Sequence, residues 1–324
     1  MDSKIVFKQS IIENNIDLFL EKTKHLTKLE LLFPVKACSN NLILNMFKSK
    51  GFGFDISNQA ELDKVKMYNG FLSMVGPKCK NIILDNLNHY IIFYDNILDY
   101  INSKEDSTHK GLRINFNKNK CFDFSHFGIP FNKIELNILQ EIKNIHFHIS
   151  GNKLIPSLTK QIFKIIKLCK NLQVLDIGGG YEDLEVDEMV EFLSCIHNRL
   201  KDNQILIVEC GDMWFKNAGK LYTYVLSVKD IAKNTKIIYL PISKEGNLKW
   251  SSPVFIDKNS NKNQNKIKYY FYGATCYEKD LIAFGRSDYV LQENDLLEFE
   301  KISPYSAEWN TSFNGIDKIE VVYE

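Results

Sequence analysis

Short apolar runs alternate with amphipathic stretches through roughly the first two thirds of the chain. Leu29–Ala37, Gly51–Ser57, Phe71–Gly76, Asn81–Asp85, Gly111–Phe116, Ile145–Ser150, Val174–Gly178 and Ile205–Cys210 have the length and apolar character of buried strands. Between many of them, apolar residues recur every three or four positions. That spacing predicts helices over Ile11–Lys24, Ser57–Tyr68, Ile134–Lys143, Ser157–Lys170 and Glu185–Asn198. Strands that alternate with helices in this way predict an α/β fold, a (β/α)8 barrel. After about residue 216 the pattern changes. Leu221–Val228, Lys236–Pro241, Lys268–Tyr272, Asp295–Glu300 and Ile319–Tyr323 look like strands divided by turns, which predicts a separate, mostly antiparallel β domain. The expected division is an N-terminal segment (1–12) joining the β domain, a barrel (13–216), and a C-terminal β-sandwich or β-barrel domain (217–324). The Asn- and Lys-rich stretch Lys258–Lys266 is expected to be an exposed loop.

Composition narrows the function. A hydrophobic fraction of 44% and a charged fraction of 25% are ordinary for a soluble globular protein. A formal net charge of +1 argues against a nucleic-acid or membrane-surface partner, which usually calls for a concentrated basic face. The only arginines are Arg113, Arg199 and Arg286, so phosphate recognition would have to rest on glycines and backbone amides. The seven cysteines are scattered without a CxxC pair, a pattern that fits reduced thiols. No secretory leader or membrane span is apparent, and the protein is expected to be soluble and cytoplasmic.

Active residues of such barrels sit at the C-terminal ends of the strands. Those ends carry Lys36, Asp55, Arg113, His148, Gly178-Gly179-Gly180 and Glu209. A lysine pointed into a dry site has a lowered pKa, and its neutral amine suits a Schiff base; most strand-end lysines are simply solvated. Three glycines directly after a strand let backbone N–H groups close around a phosphate, beyond the needs of a plain strand-to-helix turn. His146 and His148 share one strand face, where a satisfied core histidine is the commoner fate. Metal binding by this pair is not expected, because no third ligand has suitable spacing. Glu209 is either a surface carboxylate or a partner for a pyridine nitrogen, which it would keep protonated. Cys276 is either a small buried hydrophobe or an accessible thiol acid.

Taken together and in order, the segments resemble the fold-type III pyridoxal-phosphate (PLP) dependent decarboxylases, built on an alanine-racemase-like barrel. The resemblance rests on Val35-Lys36-Ala37, Gly51-Phe52-Gly53-Phe54-Asp55 with Glu61, Leu112-Arg113-Ile114-Asn115, Ser125-His126-Phe127-Gly128 and His146-Phe147-His148. It continues through Asp176–Gly180, Glu209-Cys210-Gly211, Thr275-Cys276, Pro304-Tyr305 and Ser312-Phe313-Asn314-Gly315. It implies that Lys36 holds PLP as a Schiff base and that His148 stacks on its ring. Gly178, Gly179, Gly180, Ser150 and Tyr305 would bind the phosphate, Glu209 would pair with the ring nitrogen, and Asp55, Glu61 and Arg113 would line the site. Cys276, contributed by the neighbouring subunit, would protonate the carbanion after CO2 leaves. The resemblance therefore implies a homodimer with shared active sites, acting on a small amino-acid substrate.

Four departures bear on the substrate. The family's usual Glu-Pro-Gly-Arg stands here as Glu209-Cys210-Gly211-Asp212, which puts an acid in place of a base and leans toward the carboxynorspermidine branch. The residue after the cysteine, often acidic, is Tyr277, and glycine is absent before Ser150 in His148-Ile149-Ser150-Gly151. The Asn115-to-Ser125 linker is short, and the N-terminus lacks the extra β-domain residues of larger members. The expectation is an L-amino-acid decarboxylase of polyamine or diamino-acid type, with a carboxynorspermidine-, diaminopimelate- or ornithine-like substrate met by Asp212 and Tyr277. The alternatives are a catalytically silent or regulatory homologue and an alanine-racemase-like racemase. Glu209 argues against the racemase, since racemases pair the ring nitrogen with arginine.

Overall fold

The computed structural model describes residues 2–68, 70–85, 87–116, 125–148, 155–258 and 266–324. The chain forms two compact units, one of residues 16–213 and one of residues 1–15 with 214–324. The chain's first strand, β1 (Lys4–Phe7), belongs to the second unit.

Unit 16–213 is a closed barrel. Its strands are β2 (Leu29–Pro34), β3 (Gly53–Ile56), β4 (Leu72–Val75), β5 (Tyr90–Tyr94), β6 (Lys110–Asn115), β8 (Asn144–His146), β9 (Val174–Asp176) and β10 (Ile205–Val208). Each pairs in parallel with its neighbour, and β10 closes onto β2. The two-residue β7 (Ile129–Pro130) adds to β6 at its C-terminal end. The fold is thus the expected (β/α)8 barrel, but one strand was assigned to the wrong segment. Asn81–Asp85 is not a strand: Cys79–Asn81 is a single 3-10 turn and Ile83 lies exposed. The barrel strand is Tyr-Ile-Ile-Phe-Tyr at 90–94, whose longer β-branched and aromatic run places Tyr90 opposite Leu72 on β4. Helices at Asn41–Ser49 and Ile97–Asn102, which periodicity did not single out, start at Asn40 and Asn96. Both asparagines accept backbone N–H groups left open at the helix start.

Parallel register partners lie on the same face of a sheet, and here two inner layers follow. Leu32, Val75, Ile91, Phe93, Val174 and Ile207 pack together with Phe71 across the barrel. The register Pro34–Asp55–Ser73–Ile91 and its counterpart Arg113–His146–Asp176–Ile207 run around the same interior. The Ser73 hydroxyl donates across the barrel to Asp176 Oδ2 at 3.3 Å, which confirms that these side chains point inward. The barrel therefore buries a polar ring among apolar side chains.

The second unit holds the remaining strands. β11 (Gly219–Tyr224) pairs antiparallel with β1 and with β17 (Leu296–Glu300); β14 (Val254–Phe255) and β18 (Glu320–Tyr323) complete a five-stranded sheet. β12 (Ser227–Ala232), β13 (Thr235–Leu240), β15 (Ile267–Gly273) and β16 (Leu281–Ser287) form a four-stranded sheet. The expected single strand Leu221–Val228 is split at Val225 and Leu226, where the chain leaves one sheet and enters the other. Most pairings are antiparallel; β1–β18 and β13–β15 are parallel. Phe271 of the smaller sheet meets Phe255 and Phe299 of the larger, with centroids 4.8 and 5.1 Å away, and these rings form the core between the sheets. No helix among the described residues is long and apolar enough to cross a membrane.

Gly53 is dictated by barrel packing. A Cβ there would stand 2.4 Å from the Phe71 carbonyl oxygen and 2.5 Å from Leu32 Cδ2. Gly53→Ala is expected to destabilise the protein by about 1–3 kcal/mol, because strand backbone must move. A urea midpoint equal to that of the parent would contradict this.

Candidate active site

Lys36 lies two residues beyond β2, on the face shared by Leu32 and Pro34. Its Nζ is 2.6 Å from Oδ2 of Asp55, a fully buried carboxylate on β3 whose carbonyl also accepts the Val35 N–H. The Lys36 side chain is 43% exposed, so the expectation of a dry lysine is corrected: its amine is held as one half of an ion pair. The register explains the pairing, since Pro34 is opposite Asp55 and the strand delivers Lys36 just beyond it. Asp55 Oδ1 is buried and accepts no hydrogen bond among the described residues.

The glycine turn, His148 and Glu209 are packed against one another. Gly178 and Gly180 have φ of +63° and +80°, a region that favours glycine. A Cβ at Gly178 would lie 2.8 Å from His148 Nδ1, and one at Gly179 would lie 2.2 Å from the Glu209 carbonyl oxygen. The Gly179 N–H donates to His148 Nδ1 at 3.2 Å, which leaves the ring proton of the neutral imidazole to Nε2. The Glu209 N–H in turn donates to the Gly178 carbonyl at 2.9 Å. The Glu209 carboxyl is buried, and burial, reinforced by Asp176 and Asp55, pushes its pKa well up.

Arg113 and Glu61 are anchored differently. Arg113 Nη1 stands 3.8 Å from Asp95 Oδ1, and its guanidinium lies 4.4 Å from the centroid of the Phe127 ring. Asp95 Oδ1 also accepts the Gly128 N–H at 2.6 Å, so one carboxylate ties the Ser125–Gly128 segment to β6. Glu61 accepts the Ser57 N–H at 2.7 Å and the Asn58 amide at 2.8 Å; its carboxyl organises the turn that starts a helix (Gln59–Val65). Burial raises its pKa. Asp212 opens a 3-10 turn (Asp212–Phe215) three residues past Glu209 and is half-buried. Ser150 and most of the linker between Asn115 and Ser125 lie outside the described residues.

In the second unit, Cys276 and Tyr277 sit exposed on the turn after β15. Asp280 shapes this turn. It is buried, takes the Ser243 hydroxyl at 3.1 Å and the Lys244 N–H at 2.6 Å, and accepts the Thr275 hydroxyl. Tyr305 lies in a short helix (Pro304–Trp309) whose first turn is capped by Ser303.

Asp95 was not marked by sequence, whereas His146 was placed on one strand face with His148 and Asp176 was quoted at the head of the glycine turn, neither with a role in the site. Asp95 follows β5, so it was lost with that strand. His146 Nδ1, Asp176 and Glu209 each bring one possible ligand atom within 4.8 Å of the others, a set that local spacing around the His146/His148 pair did not reveal.

A barrel with a lysine, a glycine cradle that a Cβ would fill, and a buried carboxyl oxygen on Glu209 lacking a hydrogen bond is a site suited to PLP. Lys36 would meet its aldehyde, the turn would leave room for its phosphate, and Glu209 would face its ring nitrogen. These features fit a PLP-binding barrel. Residues 12–86 match the family described as pyridoxal-dependent decarboxylase, pyridoxal binding domain. The carboxynorspermidine/carboxyspermidine decarboxylase of Campylobacter jejuni is 26% identical over 265 residues, spanning 71% of this chain and 68% of the relative. Among solved structures, the arginine decarboxylase of Paramecium bursaria Chlorella virus aligns with a TM-score of 0.82 at 19% identity, over 100% of this chain and 96% of that one. The carboxynorspermidine decarboxylase of Campylobacter jejuni complexed with norspermidine aligns with a TM-score of 0.74 at 17% identity, over 99% and 93%. The chain is thus similar to PLP-dependent decarboxylases: residues 12–86 match their pyridoxal-binding domain, and the fold is the one these enzymes share.

Burial makes this site sensitive to pH. Desolvation lowers the His146 pKa to about 4, whereas an unfolded histidine titrates at 6.5. Native protein then binds fewer protons than unfolded chain between these values, so His146 costs stability as pH falls through that window. Asp176 acts oppositely: burial raises it from 3.8 to about 7, and stability is lost as pH rises between the two. In cofactor-free protein, the melting temperature of His146→Gln relative to the parent is expected to rise on going from pH 7 to pH 4.5. That of Asp176→Asn is expected to rise in the opposite direction. Melting differences independent of pH would rule out these titrations.

Proposed function

We propose that this protein decarboxylates a diamino acid or carboxyamine, with a carboxynorspermidine-like substrate favoured over ornithine or diaminopimelate. The observation that carries the reading is the set gathered at one end of the barrel: Lys36 on Asp55, the glycine turn on His148, and a buried, proton-retaining Glu209. The 26% identical carboxynorspermidine/carboxyspermidine decarboxylase supports the substrate class, as does Asp212, an acid placed to meet an extra ammonium group on the substrate.

Bound PLP supplies an aldehyde for the substrate amine and a protonated ring that accepts the electron pair left as CO2 departs. Each side chain has a separate task. Lys36 would anchor the cofactor, and Asp55 orients its amine. Gly178, Gly179 and Gly180 would hold the phosphate, and the His148 ring, tied to the same turn by the Gly179 N–H, would face the cofactor ring. Glu61 and Arg113 brace the rim through the turn at Ser57 and through Asp95. Asp212 pairs with the distal ammonium of the substrate. In a homodimer, the Cys276 thiol of the opposite subunit delivers the proton to Cα; its exposed position on a turn fixed by Asp280 suits that presentation.

Release of CO2 across a panel of diamino acids, carboxyamines and mono-amino acids tests the substrate class. Carboxyamines and diamino acids are expected to turn over, and Asp212→Arg is expected to lower kcat/KM for them by about 100-fold, the scale of one charged contact. Activity confined to amino acids with anionic side chains would overturn the cationic-substrate reading. Cys276→Ala is expected to keep CO2 release while the amine product forms slowly or is replaced by a product of misplaced protonation. An unchanged product profile and rate would remove Cys276 as the acid.

A further inference from the structure

The exposed turn that carries Cys276 is built around a buried carboxylate. Asp280 is only 1% exposed and ends the turn that follows β15. Its Oδ2 accepts the Thr275 hydroxyl, and the Thr275 oxygen in turn accepts the Tyr277 N–H at 3.3 Å. One hydroxyl therefore spans Cys276 and holds the residue on either side of it. The Asp280 N–H donates to the Tyr277 carbonyl at 2.9 Å, and the Gly273 N–H donates to the Asp280 carbonyl at 2.9 Å. The carboxylate presses so closely on the end of β15 that a Cβ at Gly273 would lie 2.2 Å from its Oδ2.

The other carboxylate oxygen faces a different element. Oδ1 accepts the Ser243 hydroxyl at 3.1 Å and the Lys244 N–H at 2.6 Å, at the start of a short helix (Lys244–Asn247). The Ser243 oxygen also accepts the Gly246 N–H at 3.0 Å, so its hydroxyl is fixed in place. That helix is itself anchored. Buried Asn247 accepts the Ser243 N–H at 2.9 Å and donates to Asn310 Oδ1 and to the Asp317 carbonyl, both at 3.1 Å. The Thr311 N–H donates to the Gly246 carbonyl at 2.8 Å. Asp280 thus joins the Cys276 turn to a frame of buried polar contacts. Each group that meets its carboxylate is a donor, so both oxygens must accept, which an amide in its place cannot do. Turns between strands are ordinarily closed by backbone bonds and turn residues, and a buried carboxylate is a costly addition to one.

We propose that Asp280, acting through Thr275, is the positioning residue for the Cys276 thiol: it locks the turn to the helix Lys244–Asn247 so that the thiol is presented to Cα of the substrate and to no other atom. This rests on the reading of Cys276 as the acid. In that step the S–H bond breaks as a C–H bond forms at Cα, and the sulfur is left as a thiolate. Asp280 exchanges no proton with the substrate; its task is to hold Thr275 and Tyr277 on either side of the sulfur. A reacting group displaced by about 1 Å can lose about 100-fold in rate, and protonation at a wrong atom then competes.

Two measurements on the full-length protein test this. The first, hydrogen exchange followed by mass spectrometry, uses cofactor-free protein and needs no turnover. In Asp280→Asn, the amides of Ala274–Asp280 are expected to exchange about 10-fold faster than in the parent, with those of β13 unchanged. Unchanged exchange in the turn overturns the proposal, as does an equal rise in β13, which would make Asp280 a general support of the fold. The second counts amine formed per CO2 released by PLP-loaded enzyme, a ratio that does not depend on how much of the enzyme is folded. In Thr275→Val, which loses the hydroxyl and keeps the shape, this ratio is expected to fall about 10-fold, and Thr275→Ser is expected to restore it. A parental ratio in both Thr275→Val and Asp280→Asn, with a lowered ratio in Cys276→Ala, overturns the positioning role and leaves Cys276 as the acid. A parental ratio in Cys276→Ala overturns the reading of Cys276 itself. Should Asp280→Asn fail to fold, Thr275→Val decides both measurements, since it too removes the acceptor of the Tyr277 N–H.

Discussion

The barrel interior buries charge, and the site is organised by how that charge is balanced. Asp55, His146, Asp176 and Glu209 all lie out of water, where an unpaired ion is costly and the cheaper outcome is a shared proton or a close partner. Asp55 solves this with Lys36. Asp176 is met by a backbone amide and a serine hydroxyl. An apolar barrel core would be simpler to fold, so this polar ring marks the region where binding and proton chemistry are concentrated.

Close backbone approach is the second organising element. The turn at Gly178–Gly180 lies against His148 on one side and the Glu209 backbone on the other, at separations that admit no side chain. A single loop therefore sets the positions of the His148 imidazole and of the Glu209 backbone. The backbone amide of Gly179 also selects the imidazole's tautomer. The glycine turn, the His148 ring and the Glu209 backbone are in this way parts of one packed element.

Much of the architecture was legible because strand and helix periods differ. Continuous apolar runs between amphipathic stretches marked the barrel, and the loss of helical spacing after residue 216 marked the β strands. Errors arose where local pattern was ambiguous. Asn81–Asp85 and Tyr90–Tyr94 both carry apolar residues, and only register with β4 selects the second. Leu221–Val228 has unbroken strand character, yet its two halves pair with different sheets. Strand pairing is a long-range choice, so a local window contains no record of it.

For the site, the sequence by itself determined which chemistry-bearing residues stand at the strand ends: Lys36, Asp55, Arg113, His148, the three glycines and Glu209. Their order along the chain was enough to suggest a PLP site, because each strand end carries its residue to the same rim. Only the tertiary structure decided their electrostatic states. Lys36 is an ion-paired amine because β3 sets Asp55 beside it. The Glu209 carboxyl is pushed well up by burial, reinforced by Asp176, which β9 brings to its side from 33 residues earlier in the chain. A pKa depends on burial and on neighbours in space, and barrel closure is what supplies both.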